Sequence, residues 1–162
     1  MPDPNVVLRD VLRSNWDASA TSVANAPVFH TGWYDRDGDM PCITITNMDE
    51  GPYRGGVTGL TGLDGETGKG RQRLSGFALV NCVAGTRDDC EGIGTSGNDV
   101  NPKIVRNDLF EQASQILLDE SPVEFRSLAP GDSRDIVDTD DGPAVFRTEL
   151  RAVWLRDRTP TA

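Results

Sequence analysis

Few side chains in this 162-residue chain have the type and spacing to do chemistry, and none completes a familiar reactive set. His30 is the single histidine, so an acid–base step near neutral pH would fall on it or on carboxylates. It lies in the strand-like string VFHTGWY, with no G-x-S-x-G elbow and no cysteine–histidine motif beside it, and reads as a structural histidine. Glu66-Thr67-Gly68-Lys69-Gly70 has the outline of a phosphate-binding loop. Position 63 is leucine where that motif needs its first glycine, and Gly70 stands where a hydroxyl would hold magnesium. A strand pattern follows it, not the helix whose N-terminus would face a phosphate. Asp35, Asp37 and Asp39 have the spacing of the first calcium-loop ligands, but Met40 and Thr46 replace the required glycine and bidentate acid. They read as a solvated turn. Carboxylates are so numerous elsewhere that no pair marks a glycosidase. The expectation is a protein that is not an enzyme, with no catalytic residue, cofactor or metal.

Cys42, Cys82 and Cys90 include no C-x-x-C and do not make a disulfide framework. A bridge between Cys82 and Cys90 across a short loop is open on spacing; buried free thiols are the simpler reading. Trp16, Trp33, Tyr34 and Trp154 sit at or next to pattern positions, so packing explains them better than a sugar-binding platform. Arg147, Glu149 and Arg151 alternate along one face of the last strand pattern. They are either a wet sheet face or partners in ion pairs between subunits, for which arginine's planar fork is suited.

Composition narrows the class. The formal net charge is −10 and the mean hydropathy −0.43, which argues against binding nucleic acid by neutralising phosphates. There are 19 Asp and 7 Glu against 14 Arg and only 2 Lys. A surface rich in Asp and poor in Lys suits very high salt, where the Debye length falls to about 3 Å at 1 M and self-repulsion is screened. A halophilic source is expected. MPDPN does not read as the start of a signal peptide, and no run approaches the roughly 20 apolar residues of a membrane span. The expectation is a soluble single domain over 1–162.

The elements that would position these groups follow from pattern. Asp3-Pro4 caps a helix to about Trp16, with Val7, Leu8, Val11 and Leu12 as its stripe. Pro27 to Tyr34 and Pro41 to Thr46 read as a β-hairpin around DRDGDM. Asn47 to Gly70 reads as punctuation, since eight of the residues 51–70 are glycine. One option there is a flexible hairpin arm, with GVTGLTGL as its outgoing side, that becomes ordered only against a partner. Arg71 to Ala84 is the firmest strand, with Leu74, Gly76, Ala78, Val80 and Cys82 on a small-residue face for a helix and Phe77, Leu79 and Val83 opposite. Gly85 to Gly97 reads as a loop. Asn101-Pro102 starts the main helix, to about Glu120, on a stripe of Ile104 or Val105, Leu109, Ala113, Ile116 and Leu117. Val123 to Leu128 is a short strand, the following APGDSRDIVDTDDGP an acidic turn region with room for a few more extended residues, Ala144 to Arg156 the last strand, and 157–162 a frayed tail. The fold class is α+β, a mostly antiparallel sheet with two helices on one face in the order α-β-β-β-α-β-β, plus the long glycine-rich loop or arm.

The strings VVLRDVLRSNW, HTGWYD with PCITITNMDE, RQRLSGFALVNCVAG, NPKIVRNDLFEQASQILL and FRTELRAVWLRD carry a resemblance covering most of the chain. In their order the chain resembles the tail terminator and tail-completion (head–tail joining) proteins of tailed viruses, in a haloarchaeal setting. The resemblance implies a virion protein of the tail and neck, assembled in the host cytoplasm. It implies a homo-oligomeric ring, often hexameric, that caps the tail tube and meets the neck or head-completion proteins. DNA would only pass through the lumen, whose acidity suits a conduit. A head-closure or adaptor position would satisfy the same features, and the large 51–70 and 85–97 loops depart from the pattern. The implied subunit-interface residues are Arg54, Leu60, Leu63, Lys69, Arg71 and Arg73 on the arm and its root, with Arg147, Glu149 and Arg151. The other readings are a small attachment or carbohydrate-recognition module, using Trp33 or Tyr34, and a metal-assisted hydrolase using Asp35, Asp37 and Asp39.

Overall fold

The computed structural model describes residues 2–17, 27–33, 41–53, 60–63, 70–85, 102–139 and 144–158. Helix α1 (Pro4–Ser14) is followed by strands β1 (Val28–Thr31), β2 (Cys42–Pro52), β3 (Leu60–Leu63) and β4 (Gly70–Ala84). Helix α2 (Pro102–Asp119) and strands β5 (Ser127–Asp138) and β6 (Val145–Arg158) complete the order. The strands form one sheet, β1-β2-β4-β6-β5, with β3 also paired to β4. Both helices pack on one face, so the domain is α+β.

Local chemistry starts α1 where the sequence predicts. The Asp3 carboxylate accepts the Asn5 backbone N–H at 2.9 Å and Pro4 takes the first helical position. Val7, Leu8 and Leu12 are buried, in one core with Ile43 and Ile45 of β2. α2 contributes Val105, Leu109, Ala113, Ile116 and Leu117 to the same core. Opposite them lie Ala78, Val80 and Cys82 of β4, the small-residue face expected to meet a helix. Ile104, the alternative start of the stripe, is half exposed.

β4 lies at the centre, paired antiparallel with β2 from Cys42↔Val83 to Pro52↔Leu74 and with β6 from Gln72↔Arg158 to Ala84↔Phe146. Its register sets Gly76 opposite Trp154. A Cβ on Gly76 would stand 2.6 Å from the Trp154 ring, so only glycine lets the indole lie over the strand. That indole is fully buried and stacks on Phe125 at 5.4 Å between centroids. Its Nε1–H donates to Glu50 at 2.8 Å. Arg156 closes the cluster, donating from Nε and Nη2 to the two oxygens of Glu50 at 2.7 and 2.5 Å and from Nη1 to the Pro2 carbonyl at 2.9 Å.

Four expectations need correction. The hairpin is a parallel pair, Val28↔Cys42 through Thr31↔Ile45. Turn residues mark where a chain bends, not the direction in which it returns, and the connection across 32–41 exceeds the usual hairpin loop of two to five residues. Gly32, at φ +103, begins the departure and donates its N–H to the Ile45 carbonyl at 2.9 Å. Second, the supposed punctuation contains structure: β2 continues to Pro52, and β3 pairs with the start of β4 from Leu60↔Gln72 to Leu63↔Gly70. A register shift between Thr46 and Asp49, with Asn47 at φ 55, hides that continuation by breaking the alternation.

Third, the acidic turn region is mostly β5, while 123–126 is turn rather than strand. β5 is an edge strand, largely exposed, so its residues need no apolar alternation; backbone pairing with β6 holds it despite Pro130 and a shift before Ser133. Fourth, β6 runs on through Arg158, so the tail at 157–158 is ordered by pairing. Residues 54–59 and 64–69 of the arm, and most of the 85–97 loop, lie outside the described residues. Gly76→Ala is expected to cost about 1–3 kcal/mol by overpacking, and clearly less in a Trp154→Phe background. Chemical denaturation of the four variants of that cycle measures both values.

Candidate functional site

The face of the sheet turned away from the helices carries the charged residues that the sequence singles out. Alternation along β4 brings Phe77, Leu79, Asn81 and Val83 to this face, and along β6 Arg147, Glu149, Arg151, Val153 and Leu155. The face divides into two chemically different halves.

At the first, Asn81 is fully buried and organises a polar ladder. Its Nδ2 donates to Thr46 Oγ1 at 3.0 Å and to Thr44 Oγ1 at 3.3 Å. Its Oδ1 accepts from Arg147 Nη1 at 3.1 Å. The same Nη1 reaches Glu149 Oε1 at 2.5 Å, and Arg134 of β5 donates to Glu149 Oε2 at 3.1 Å. The Trp33 ring lies 4.8 Å from the Arg147 guanidinium. Cys42, Val83 and Val145 form a small apolar cluster on this face. Such a ladder links three strands and sets register, though the buried Nε of Arg147 has no hydrogen-bond partner among the described residues; it contains no nucleophile with a base at hand. Cys42 and Cys82 are buried and neither is joined in a disulfide. Burial, and then the nearness of Cys42, push the Cys82 thiol far above its ordinary range, which disfavours its thiolate.

The second half is more open and more apolar. Phe77, Leu79 and Leu155 are half-buried and Val153 is 39% exposed. Arg151 lies with its guanidinium 4.4 Å from the Phe77 ring centroid and has no carboxylate partner among the described residues. At the end of this half, Asp157 Oδ1 accepts from Arg73 at 3.1 Å and Oδ2 from Arg126 at 2.9 Å. Burial alone would raise the Asp157 carboxyl, but the hydrogen bonds and charges of Arg73 and Arg126 outweigh it and hold it below its ordinary value.

On the opposite side of the domain, a groove of about 410 Å³ runs between α1 and the turn after α2. Val6, Val11 and Pro122 supply apolar walls; Glu120 and Glu124 stand at the rim. Among the described residues no three histidine, cysteine or acidic side chains gather as a metal site, and no helix is long and apolar enough to cross a membrane.

The structure thus sorts the interface candidates. Arg147 and Glu149 are paired within the chain, with side chains 9% and 14% exposed, and Arg73 is paired to Asp157. Arg151 is left exposed. Leu60, Leu63 and Arg71 are placed by backbone alone, in β3 and at the start of β4. Arg54 and Lys69 lie outside the described residues, as do Asp35, Asp37, Asp39 and Tyr34. Sequence reasoning missed the Asn81 ladder, the Glu50–Arg156 pair and Arg106, which is buried on α2 and faces Asp135 at 3.4 Å. A polar residue inside a strand's apolar stretch, as Asn81 is between Val80 and Cys82, was the available signal for the first. No protein-family model matches the chain, and no curated protein matches it.

Arg147→Ala is expected to cost about 3 kcal/mol, because it strips a partner from Asn81 and Glu149 in a buried setting. Arg151→Ala, on an exposed position, is expected to stay within about 0.5 kcal/mol; equilibrium unfolding of both separates the two halves of the face. Asp157→Asn is expected to destabilise at neutral pH. A carboxyl held low in the folded state contributes above the unfolded value of about 3.9 and loses that contribution as pH falls through the folded value. The difference from the unsubstituted protein should therefore shrink in unfolding curves taken at successively lower pH, towards zero in strong acid.

Proposed function

We propose that this protein is a structural virion subunit that forms a ring, hexameric in the reading favoured here, at the head–tail junction of a tailed virus of haloarchaea. It terminates or completes the tail tube and joins it to the neck, with tail-tube and neck proteins as partners and DNA passing only through the lumen. The observation that carries the reading is where the resembling strings fall. VVLRDVLRSNW is α1, PCITITNMDE is β2, RQRLSGFALVNCVAG is β4, the 101–118 string is α2 and FRTELRAVWLRD is β6. Five of the six strings fall on the frame of the domain, in the order the resemblance implies; the sixth, HTGWYD, leaves β1 at Thr31. A second support is the divided sheet face. One half has its charges paired within the chain, and the other leaves an apolar patch and a guanidinium with no carboxylate partner among the described residues, which suits a subunit that buries surface against neighbours.

An attachment or carbohydrate-recognition module is the second reading, favoured by Trp33, whose ring is backed by Arg147 and whose residue is 58% exposed. Native mass measurement in molar salt, with and without tail tubes, tests the first reading. The expected result is a closed oligomer that binds tube ends. A monomer that leaves tube ends bare would sink it, and glycan binding abolished by Trp33→Ala would favour the second.

A further inference from the structure

Two surfaces on opposite sides of the domain have complementary chemistry. On the open sheet face, β4, β6 and β5 set Phe77, Val153 and Ala129 in one row and Ser75, Leu155 and Ser127 in the next. Arg151 overlies Phe77 and meets no carboxylate among the described residues. The surrounding charge is net cationic: Arg73, Arg126 and Asp157 sum to one positive charge, which with Arg151 outweighs Asp49 beside Phe77, the opposing anion.

On the helix side, the groove has apolar walls from Val6, Val11 and Pro122, and Val123 beside it is 97% exposed. Asp10, which also lines it, is paired with Arg9 and Arg13 at 3.0 and 3.1 Å, a group that sums to one positive charge, so Glu120 and Glu124 leave the groove anionic by one charge. Glu120 and Glu124 carry no ion pair among the described residues. One surface is therefore apolar with a spare cation, and the other apolar with spare anions.

We propose that the Arg151 patch of one copy docks in the α1 groove of the next, with Arg151 answering Glu120 and Glu124 and Val153 meeting the apolar walls. This rests on the ring reading above and specifies how one copy follows another. Pairing either surface with itself would set like charges face to face, which disfavours a two-fold dimer. Because the two surfaces lie on opposite sides of the sheet, one copy engages two neighbours at once. The contact is heterologous, and such a contact closes into a ring when the rotation between copies permits. The apolar part keeps it effective in strong salt, where ion pairs are screened within about 3 Å at 1 M.

Charge exchange tests the pairing. Arg151→Glu alone, and Glu120→Arg with Glu124→Arg alone, should each weaken self-assembly in dilute salt by about tenfold or more. The combination of all three should recover to within about threefold of the unsubstituted protein. Val153→Asp should weaken assembly in dilute and in molar salt alike. Mass photometry gives the assembled fractions, and circular dichroism verifies that these surface variants keep the fold. Arg151→Glu assembling like the unsubstituted protein, or a combined variant no better than the worse parent, overturns the proposal. Rings that form but ignore the exchanges remove this contact and leave the ring reading standing. An unsubstituted chain that never assembles, with or without tail tubes, removes both.

Discussion

The indole of Trp154 lying over Gly76 is the contact on which the rest of this domain depends. It can exist only because β4 has no side chain at that point, and it is fixed by a single hydrogen bond to Glu50. The same carboxylate takes the fork of Arg156, whose remaining donor holds the carbonyl of Pro2 just ahead of α1. One cluster therefore ties β2, β4, β6, the entry to α1 and, through Phe125, the turn after α2. Buried charge is costly unless geometry is good, and here the pair is bidentate, with side chains 8% and 12% exposed. Its value lies in specifying register, since a slip of one residue would set the Trp154 ring against Ser75 or Phe77 instead of Gly76.

The two sheet faces use charge in different ways. On the helix side, Glu50 and Arg156 are enclosed and complete. On the open side, Asn81 couples Thr44 and Thr46 of β2 to Arg147 of β6 through the middle strand, so three strands are held by side chains as well as by their backbones. The ladder ends at Glu149 and Arg134. Two residues further along β6 the chemistry changes, because Arg151 meets an aromatic ring instead of a carboxylate. A guanidinium on a ring face keeps its hydrogen-bonding edge free for another partner. Nothing in the alternation of Arg147, Glu149 and Arg151 distinguishes internal from available charge. The difference arises from cross-strand neighbours: Asn81 and Arg134 on one side, Phe77 on the other.

Much of the frame was legible because it rests on local rules. The Asp3-Pro4 cap, the stripe of α2, the two faces of β4 and the alternation of β6 each follow from residues a few positions apart. The parallel pairing of β1, the length of β2 beyond its bulge and the strand character of β5 were not legible. Each depends on an edge offered by a strand remote in sequence, and an exposed edge strand needs no apolar period of its own. The interface candidates were legible as residue types only.

By itself the sequence determined an acidic, lysine-poor α+β domain with two helices on one side of a mostly antiparallel sheet. Those properties are sums and periodicities, carried by composition and by spacing along the chain. Only the tertiary structure decided that Trp154 requires Gly76, that Glu50 is buried against Arg156, and that Arg147 binds Asn81 and Glu149 while Arg151 meets no carboxylate among the described residues. Those facts are set by strand register, which brings together residues that are about 65 to 105 positions apart in sequence. The neighbours of a side chain across a sheet are fixed by which strands pair and in what register, and no local pattern carries that information.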